Sequence, residues 1–349
     1  MARILIATDA WHPQVNGVVR TLDMTARVLR ADGHAVEVIE PSAFATFPAP
    51  FYPEIAVSLP LPGKVYDRVR RFRPDCVHIS TEGPIGVAVR HFCMLAGWKF
   101  NTSYHTRFPE YLHEYAGVPE ALPYAYLKWF HGSSSALKVA TPSLEKELIA
   151  RGFTAPIRRW SRGVDLSLFR PQPKIVKPEW PSPVLLYVGR VSKEKGIEDF
   201  LALPTAGTKV VVGDGPARAD LERRFPEAKF LGFRTGEALA ECYAAADVFV
   251  FPSKTDTFGI VLIEALACGV PVAAYPVTGP VDIVTDDRCG ALDENLGVAV
   301  DRALRTGDRA ACAAEGRKYT WENCTRQFLS SLVPVGGEKS PESGNPNRA

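Results

Sequence analysis

The stretch SKTDTFGIVLIEALACGVPVAAY, residues 253–275, decides how this chain is built. Its last part, PVAAY (271–275), is a short apolar run between punctuating residues, the form of a buried strand. Ahead of it, GIVLIEALA (259–267) is apolar on every face except at Glu264, and DVFVFPS (247–253) is a second strand-like run. Strand, apolar helix and strand in succession are one repeat of a parallel sheet covered on both sides. Two carboxylates interrupt that repeat. Glu264 sits between Ile263 and Ala265, where an ionised group is costly unless it is bonded. Asp256 precedes the helix and reads either as its N-cap or as a ligand-binding acid. The amides of Phe258, Gly259 and Ile260 fall where a helix leaves N–H groups without intrahelical partners, which suits a phosphate. Gly259 lets the backbone approach such a ligand closely.

The same alternation extends in both directions. Strands are predicted at 184–190, 209–215 and 229–233, and an earlier series at 3–9, 34–40, 75–80, 98–104 and 136–142, with helical periodicity over 18–31, 84–96 and 143–151. The proline-dense segment FRPQPKIVKPEWPSP (169–183) separates the two series and reads as a linker. The expected organisation is therefore α/β: a Rossmann-like domain over 1–168, the linker, and a second over 184–320, the two facing each other across a cleft. A last helix over 321–333 is expected to return to the first domain. The polar, Gly/Pro-rich tail over 334–349 is expected to be disordered. A length of 349 residues suits two such cores.

Composition excludes several classes. With 46% hydrophobic and 23% charged residues the chain is of ordinary soluble type, and no apolar run reaches the roughly 20 residues that span a bilayer. The start, MARILIATDA, lacks a secretory pattern, and seven scattered cysteines without a CxxC pair point to reduced thiols in the cytoplasm and no zinc site. The strand ends carry no GxGxxG, no GxxxxGK[ST] and no GxSxG, which argues against hydride transfer, P-loop chemistry and the hydrolase elbow. What remains is anion binding. In GRVSKEKG (189–196), Arg190 and Lys195 follow a strand and precede a helix, a place where such a pair is also a common solvated loop.

Taken together, these residues resemble glycosyltransferase family 4, retaining enzymes of the two-Rossmann GT-B fold, over nearly the whole chain to about residue 333. The family's paired acids, with seven residues between them in E-x-F-G-x-x-x-x-E, correspond to DTFGIVLIE here, with Asp256 replacing the first Glu and Glu264 in the second place. The resemblance implies that Glu264 holds the nucleotide ribose and Asp256 addresses the donor hexose. It implies that the amides at Phe258, Gly259 and Ile260 hold the diphosphate with Arg190 and Lys195. Gly17 in NGVVRT matches the family's glycine loop near the phosphates, His105 in SYHTRFPEY a histidine near the transferred sugar, and WSRGVD (160–165) a segment at the domain junction. No cofactor is implied, because the nucleotide sugar is a substrate. The leaving diphosphate is expected to be neutralised without a metal. The motif set looks like the branch with sulfoquinovosyl-diacylglycerol synthases and bacterial lipid mannosyl- and glucuronosyltransferases, which implies a lipid acceptor and leans toward a UDP-sugar. GDP-mannose and a soluble sugar acceptor stay open as alternatives, as does a nucleotide-sugar-binding protein without turnover.

Charge placement agrees with an acceptor in a membrane. Residues 1–175 hold 21 basic and 15 acidic side chains, a net of +6, whereas the remainder nets −4. Lys64, Arg68, Arg70, Arg71 and Arg73 crowd one short segment, and eight aromatics lie between Tyr104 and Phe130. Basic and aromatic residues together suit an anionic bilayer surface. A solvated helix face and a large core is the alternative reading of the same residues. The expectation is a cytoplasmic protein lying peripherally on the inner face of the cell membrane, with no nucleic-acid partner.

Overall fold

The computed structural model describes residues 1–49 and 52–337. They form two compact units, Met1–Ser161 together with the segment from Trp321 onward, and Arg162–Thr320. Each has a six-stranded, wholly parallel sheet.

In the first unit the strand order is Ala35–Ile39, Arg3–Ala7, Cys76–Ile79, Asn101–Ser103, Ala136–Val139, Ile157–Arg159. Because side chains alternate along a strand, Leu5 and Ala7 enter one buried cluster with Val77 and Val89, while Ile4 and Ile6 enter another with Leu22 and Trp160. Both faces are thus covered, and Ile4–Ala7 reads as an unbroken apolar run. The helix Trp321–Ser330 contributes Trp321, Cys324 and Phe328 to the second of these clusters. An antiparallel hairpin, Ala45–Ala49 with Tyr52–Leu59, stands apart from the sheet.

In the second unit the order is Lys229–Phe230, Thr208–Val212, Val184–Val188, Val248–Phe251, Val272–Ala274, Gly290–Leu292. Numbered along this unit, that is 3-2-1-4-5-6, the doubly wound dinucleotide-fold order, whose ligand crevice lies beyond the ends of strands 1 and 4. Those ends are Val188 and Phe251, so the loops carrying Arg190, Lys195 and Asp256 emerge side by side.

Three expectations are corrected. The unit boundary falls at Ser161/Arg162, inside WSRGVD, and not at residue 168. The segment 169–183 is no free linker. Phe169 and Trp180 are 1% and 7% exposed, the amide of Ile175 donates to the carbonyl of Ala244, and Lys174 Nζ lies 2.6 Å from Asp247 Oδ1. Prolines there fix an extended path along the unit while the aromatics anchor it. The expected tail begins later than 334, because Pro334 bridges to Cys76 and the amide of Lys99 donates to the carbonyl of Val335. Its remainder, 338–349, lies outside the described residues.

Lys138, 1% exposed in the strand Ala136–Val139, donates to the carbonyl of Phe328 at 3.3 Å and to Ser331 Oγ, tying the last helix to the sheet. Burial pushes its ammonium down to about 7. In the unfolded chain the same group keeps its proton until about pH 10, so above pH 7 the unfolded state binds more protons and stability rises with pH. Below that range the contribution is gone. Between about pH 7 and 8.5 the slope is expected to approach 1.4 kcal/mol per pH unit, and Lys138→Met should flatten it in denaturant titrations. Buried thiols such as Cys76 and Cys93, pushed up to about 12, act in the opposite sense only at higher pH.

Candidate active site

The site of the second unit is assembled from two neighbouring strand ends. After Val188 the chain turns through Gly189 and Arg190, whose carbonyl accepts from Tyr187 Oη at 2.6 Å, into a short 3-10 turn, Lys193–Lys195. Gly196 then adopts φ +62°, and a Cβ there would meet the carbonyl oxygen of Pro252 at 2.5 Å. Only glycine lets the lysine loop press against the loop leaving Phe251. Thr255 Oγ1 fastens the same two loops by donating to the carbonyl of Glu194 at 3.1 Å.

The result is an ion pair, Lys195 Nζ to Asp256 Oδ1 at 2.7 Å, with both side chains about one-fifth exposed. Asp256 Oδ2 is buried and has no hydrogen-bond partner among the described residues. A buried carboxylate oxygen left open in this way is costly, and it is the feature a ligand hydroxyl would satisfy. Asp256 is not the helix cap. That position belongs to Gly259, at φ +85°, and no side chain caps the helix Ile260–Ala267. The helix therefore presents its first-turn amides and its positive dipole end beside the Lys195–Asp256 pair. Phe258 is 4% exposed and meets the ring of Tyr319 edge-on, which holds the TFG turn from behind.

Glu264 lies one turn further along, 1% exposed, and its Oε2 accepts from Tyr243 Oη at 3.1 Å. Tyr243 is the bonding partner that its apolar sequence neighbours could not supply.

Gly17 and His105 belong to the first unit. Gly17 opens the helix Gly17–Ala31, but Asn16 Oδ1 already accepts from the amides of Val18 and Val19, at 3.0 and 2.9 Å. This helix end is closed by its own cap, so the expected phosphate contact of the glycine loop falls to backbone other than those two amides. His105 is 8% exposed, edge-on to Trp160 with ring centroids 5.5 Å apart. Two residues on, Arg107 spans to Glu147, Nη1 to Oε1 at 2.9 Å and Nη2 to Oε2 at 2.5 Å, and reaches Glu110 Oε1 at 3.1 Å. This buried bidentate pair fixes the turn that carries the histidine. Among the described residues there is no group of three or more His, Cys, Asp or Glu placed to hold a metal ion.

Two family descriptions match: "Glycosyltransferase Family 4" over residues 15–168, and "Glycosyl transferases group 1" over residues 182–304. A GDP-mannose-dependent alpha-mannosyltransferase of Mycobacterium tuberculosis is 30% identical over 378 residues, covering 98% of this chain and 99% of that protein. The chain belongs to glycosyltransferase family 4. This family-4 enzyme is also 32% identical over 310 residues to the sulfoquinovosyl transferase SQD2 of Arabidopsis thaliana, a match covering 84% of this chain but 59% of the plant protein's length. Sucrose-phosphate synthase from Thermosynechococcus elongatus superposes with a TM-score of 0.71 at 21% identity, over 93% of this chain and 96% of that one. HepE of Anabaena, in complex with UDP-glucose, does so with 0.69 at 19%, over 95% and 100%. These likenesses make the fold GT-B, and the family makes the glycosyltransferase a hexosyltransferase.

Sequence reasoning missed the contacts of Thr255, Tyr187 and Tyr243, which hold the loops of Glu194 and Arg190 and the side chain of Glu264 in place. None carries a motif, since each acts through a single hydroxyl at a distance along the chain. It also placed Arg68 on a free basic face, whereas Arg68 Nη2 bonds Glu37 Oε1 at 2.5 Å and the carbonyl of Val38 at 3.1 Å. That arginine fastens its helix, Pro62–Phe72, to the edge strand. Lys64, Arg70, Arg71 and Arg73 are exposed. The aromatic run divides likewise: Tyr104, Tyr124 and Phe130 are core, while Phe108, Tyr115, Tyr126 and Trp129 are 36% to 51% exposed. No helix among the described residues is long and apolar enough to cross a membrane.

Proposed function

We propose that this enzyme transfers a hexosyl or hexuronosyl group, with retention, from a nucleotide diphosphate sugar to the hydroxyl of a lipid such as diacylglycerol. The observation that carries the donor half is the Lys195–Asp256 pair beside an uncapped helix N-terminus at the switch point of the sheet. Lys195, Arg190 and the amides at Phe258, Gly259 and Ile260 would meet the diphosphate, whose charge grows as the glycosidic bond breaks. Asp256 Oδ2 would accept from a hexose hydroxyl, and Glu264 from the ribose. Gly17 and His105 would border the phosphates and the transferred sugar from the first unit. With no second carboxylate assigned as a nucleophile, the reading is front-face substitution, the departing diphosphate taking the acceptor's proton. No metal enters this scheme.

The lipid half rests on the exposed Lys64, Arg70, Arg71 and Arg73 and on the exposed aromatics, which suit peripheral attachment at an anionic, cytoplasm-facing surface. The sequence leans to a UDP-sugar. The relatives matched nearly end to end are named for GDP-mannose, which moves that sugar to the head of the donor panel. A panel of UDP- and GDP-sugars, each with lipid extract or with soluble sugars, tests the proposal. Radiolabel passing only to water-soluble acceptors would reject the lipid half.

Glu264→Ala is expected to weaken nucleotide binding by about 1.5–3 kcal/mol, the range for hydrogen bonds to charged groups. Tyr243→Phe keeps the ring and loses one hydroxyl, so it should cost about 1 kcal/mol of stability with little change in nucleotide affinity. Calorimetric titration of both variants separates a ribose ligand from a merely buried acid. Equal nucleotide affinity for wild type and a folded Glu264→Ala would reject the ribose assignment.

A further inference from the structure

The first unit has a switch point of its own, between the strands Arg3–Ala7 and Cys76–Ile79. Loops beyond those strand ends carry Asp9 and the segment Thr81-Glu82-Gly83. Asp9 is spent on structure: its carboxylate accepts from Thr81 Oγ1 at 2.8 Å and from the amides of Ile85 and Gly86 at 2.8 and 3.3 Å. Glu82 is different. Its side chain is 8% exposed, Oε1 lies 3.2 Å from Nε2 of the fully buried His131, and Oε2 has no partner among the described residues. Glu82 lines a pocket of about 440 Å³ whose walls are otherwise mainly apolar, including Pro60, Pro62, Val87, Ala88 and Tyr126. That size is ordinary for a small-molecule site. Leu59 and Leu61 beside it are 57% and 60% exposed.

Resting on the lipid-acceptor reading above, we propose that this pocket is the acceptor site, taking an uncharged acylglycerol whose free hydroxyl donates to Glu82 Oε2 and whose first acyl carbons lie on the prolines and Val87. A sugar would leave most of its hydroxyls facing apolar walls without partners. An anionic headgroup would meet Glu82, with the Asp9 carboxylate behind Gly83, where a Cβ would stand 2.4 Å from Asp9 Cγ. No lysine or arginine lines the pocket. The negative character is felt locally: burial first, then Glu82 and Asp9, push the Tyr126 phenol up to about 12.

The test uses the full chain and 1,2-dioctanoylglycerol, with dioctanoyl phosphatidic acid as the charged comparator, followed by calorimetry and by acceptor kinetics. Glu82→Gln should weaken dioctanoylglycerol binding by about tenfold or more and raise its KM without altering nucleotide affinity. The same variant should bind the phosphatidic acid better than wild type does, a reversal that loss of a structural Glu82–His131 contact would not produce. Val87→Trp, which fills the pocket and leaves that contact intact, should abolish acylglycerol binding. If both folded variants bind and glycosylate dioctanoylglycerol as wild type does, the pocket assignment is overturned and the lipid reading stands. If wild type binds no acylglycerol and transfers only to soluble sugars, both fall.

Discussion

Lys195→Ala is expected to lower turnover by about 10²–10³-fold while leaving the affinity for free nucleoside nearly unchanged. The lysine does more than add charge to a loop. It neutralises Asp256 at 2.7 Å, and its removal leaves a four-fifths buried carboxylate unpaired beside the proposed diphosphate position. Repulsion then adds to the lost attraction, so the single variant should be worse than Lys195→Ala combined with Asp256→Asn. Residues in direct contact are non-additive in this way. Arg190→Ala, which leaves the Lys195–Asp256 pair in place, should give a smaller loss. Single-turnover transfer rates, set beside nucleoside titrations, check the pattern. Parallel losses in rate and nucleoside affinity would place Lys195 outside the chemistry.

Serine at Lys64, Arg70, Arg71 and Arg73 is expected to reduce partitioning onto anionic vesicles by up to about a thousandfold at low salt, or roughly 4 kcal/mol at 1 kcal/mol per exposed basic residue. Arg68 is left in place because its bonds to Glu37 and Val38 hold the helix down, and its loss would confuse unfolding with undocking. Raising the ionic strength should reproduce the effect in wild type, since the field decays over about 10 Å at 0.1 M salt. Nucleotide affinity should survive, because none of the four is among the residues proposed to meet the donor, most of which belong to the other unit. Co-sedimentation at two salt concentrations, with nucleotide titration of the same preparations, decides it. Partitioning that ignores both charge and salt would reject this docking face.

The sheets were legible in the sequence because strands such as ILIA at 4–7 and VLLYV at 184–188 are buried on two sides and read as unbroken apolar runs. Edge strands were not. Ile157–Arg159 and Gly290–Leu292 are three residues each, too short for any period to show. The hairpin strands Ala45–Ala49 and Tyr52–Leu59 carry prolines, which are uncommon within strands. Proline also hid the packed path of 169–183, where Phe169 and Trp180, and not the loop-like composition, determine what the segment does. At the site, Asp256, Gly259 and Glu264 stood out because one turn and one helix carry them, and Lys195 because it follows a strand end, although its pairing with Asp256 spans 61 positions. Glu82 carried no such mark. Its meaning comes from His131, 49 positions away, and from walls supplied by separate helices.

The second unit is one continuous stretch of chain, whereas the first is begun at Met1 and finished only by Trp321, Cys324 and Phe328. A ribosome delivers these parts in order. Arg162–Thr320 can close its core as soon as it emerges. The face formed by Ile4, Leu22 and Trp160 must wait, apolar and uncovered, through the synthesis of an entire domain. During that interval the nascent first unit is the natural client of a chaperone. A chain broken off before residue 321 would be left with a finished second unit and a permanently open first one.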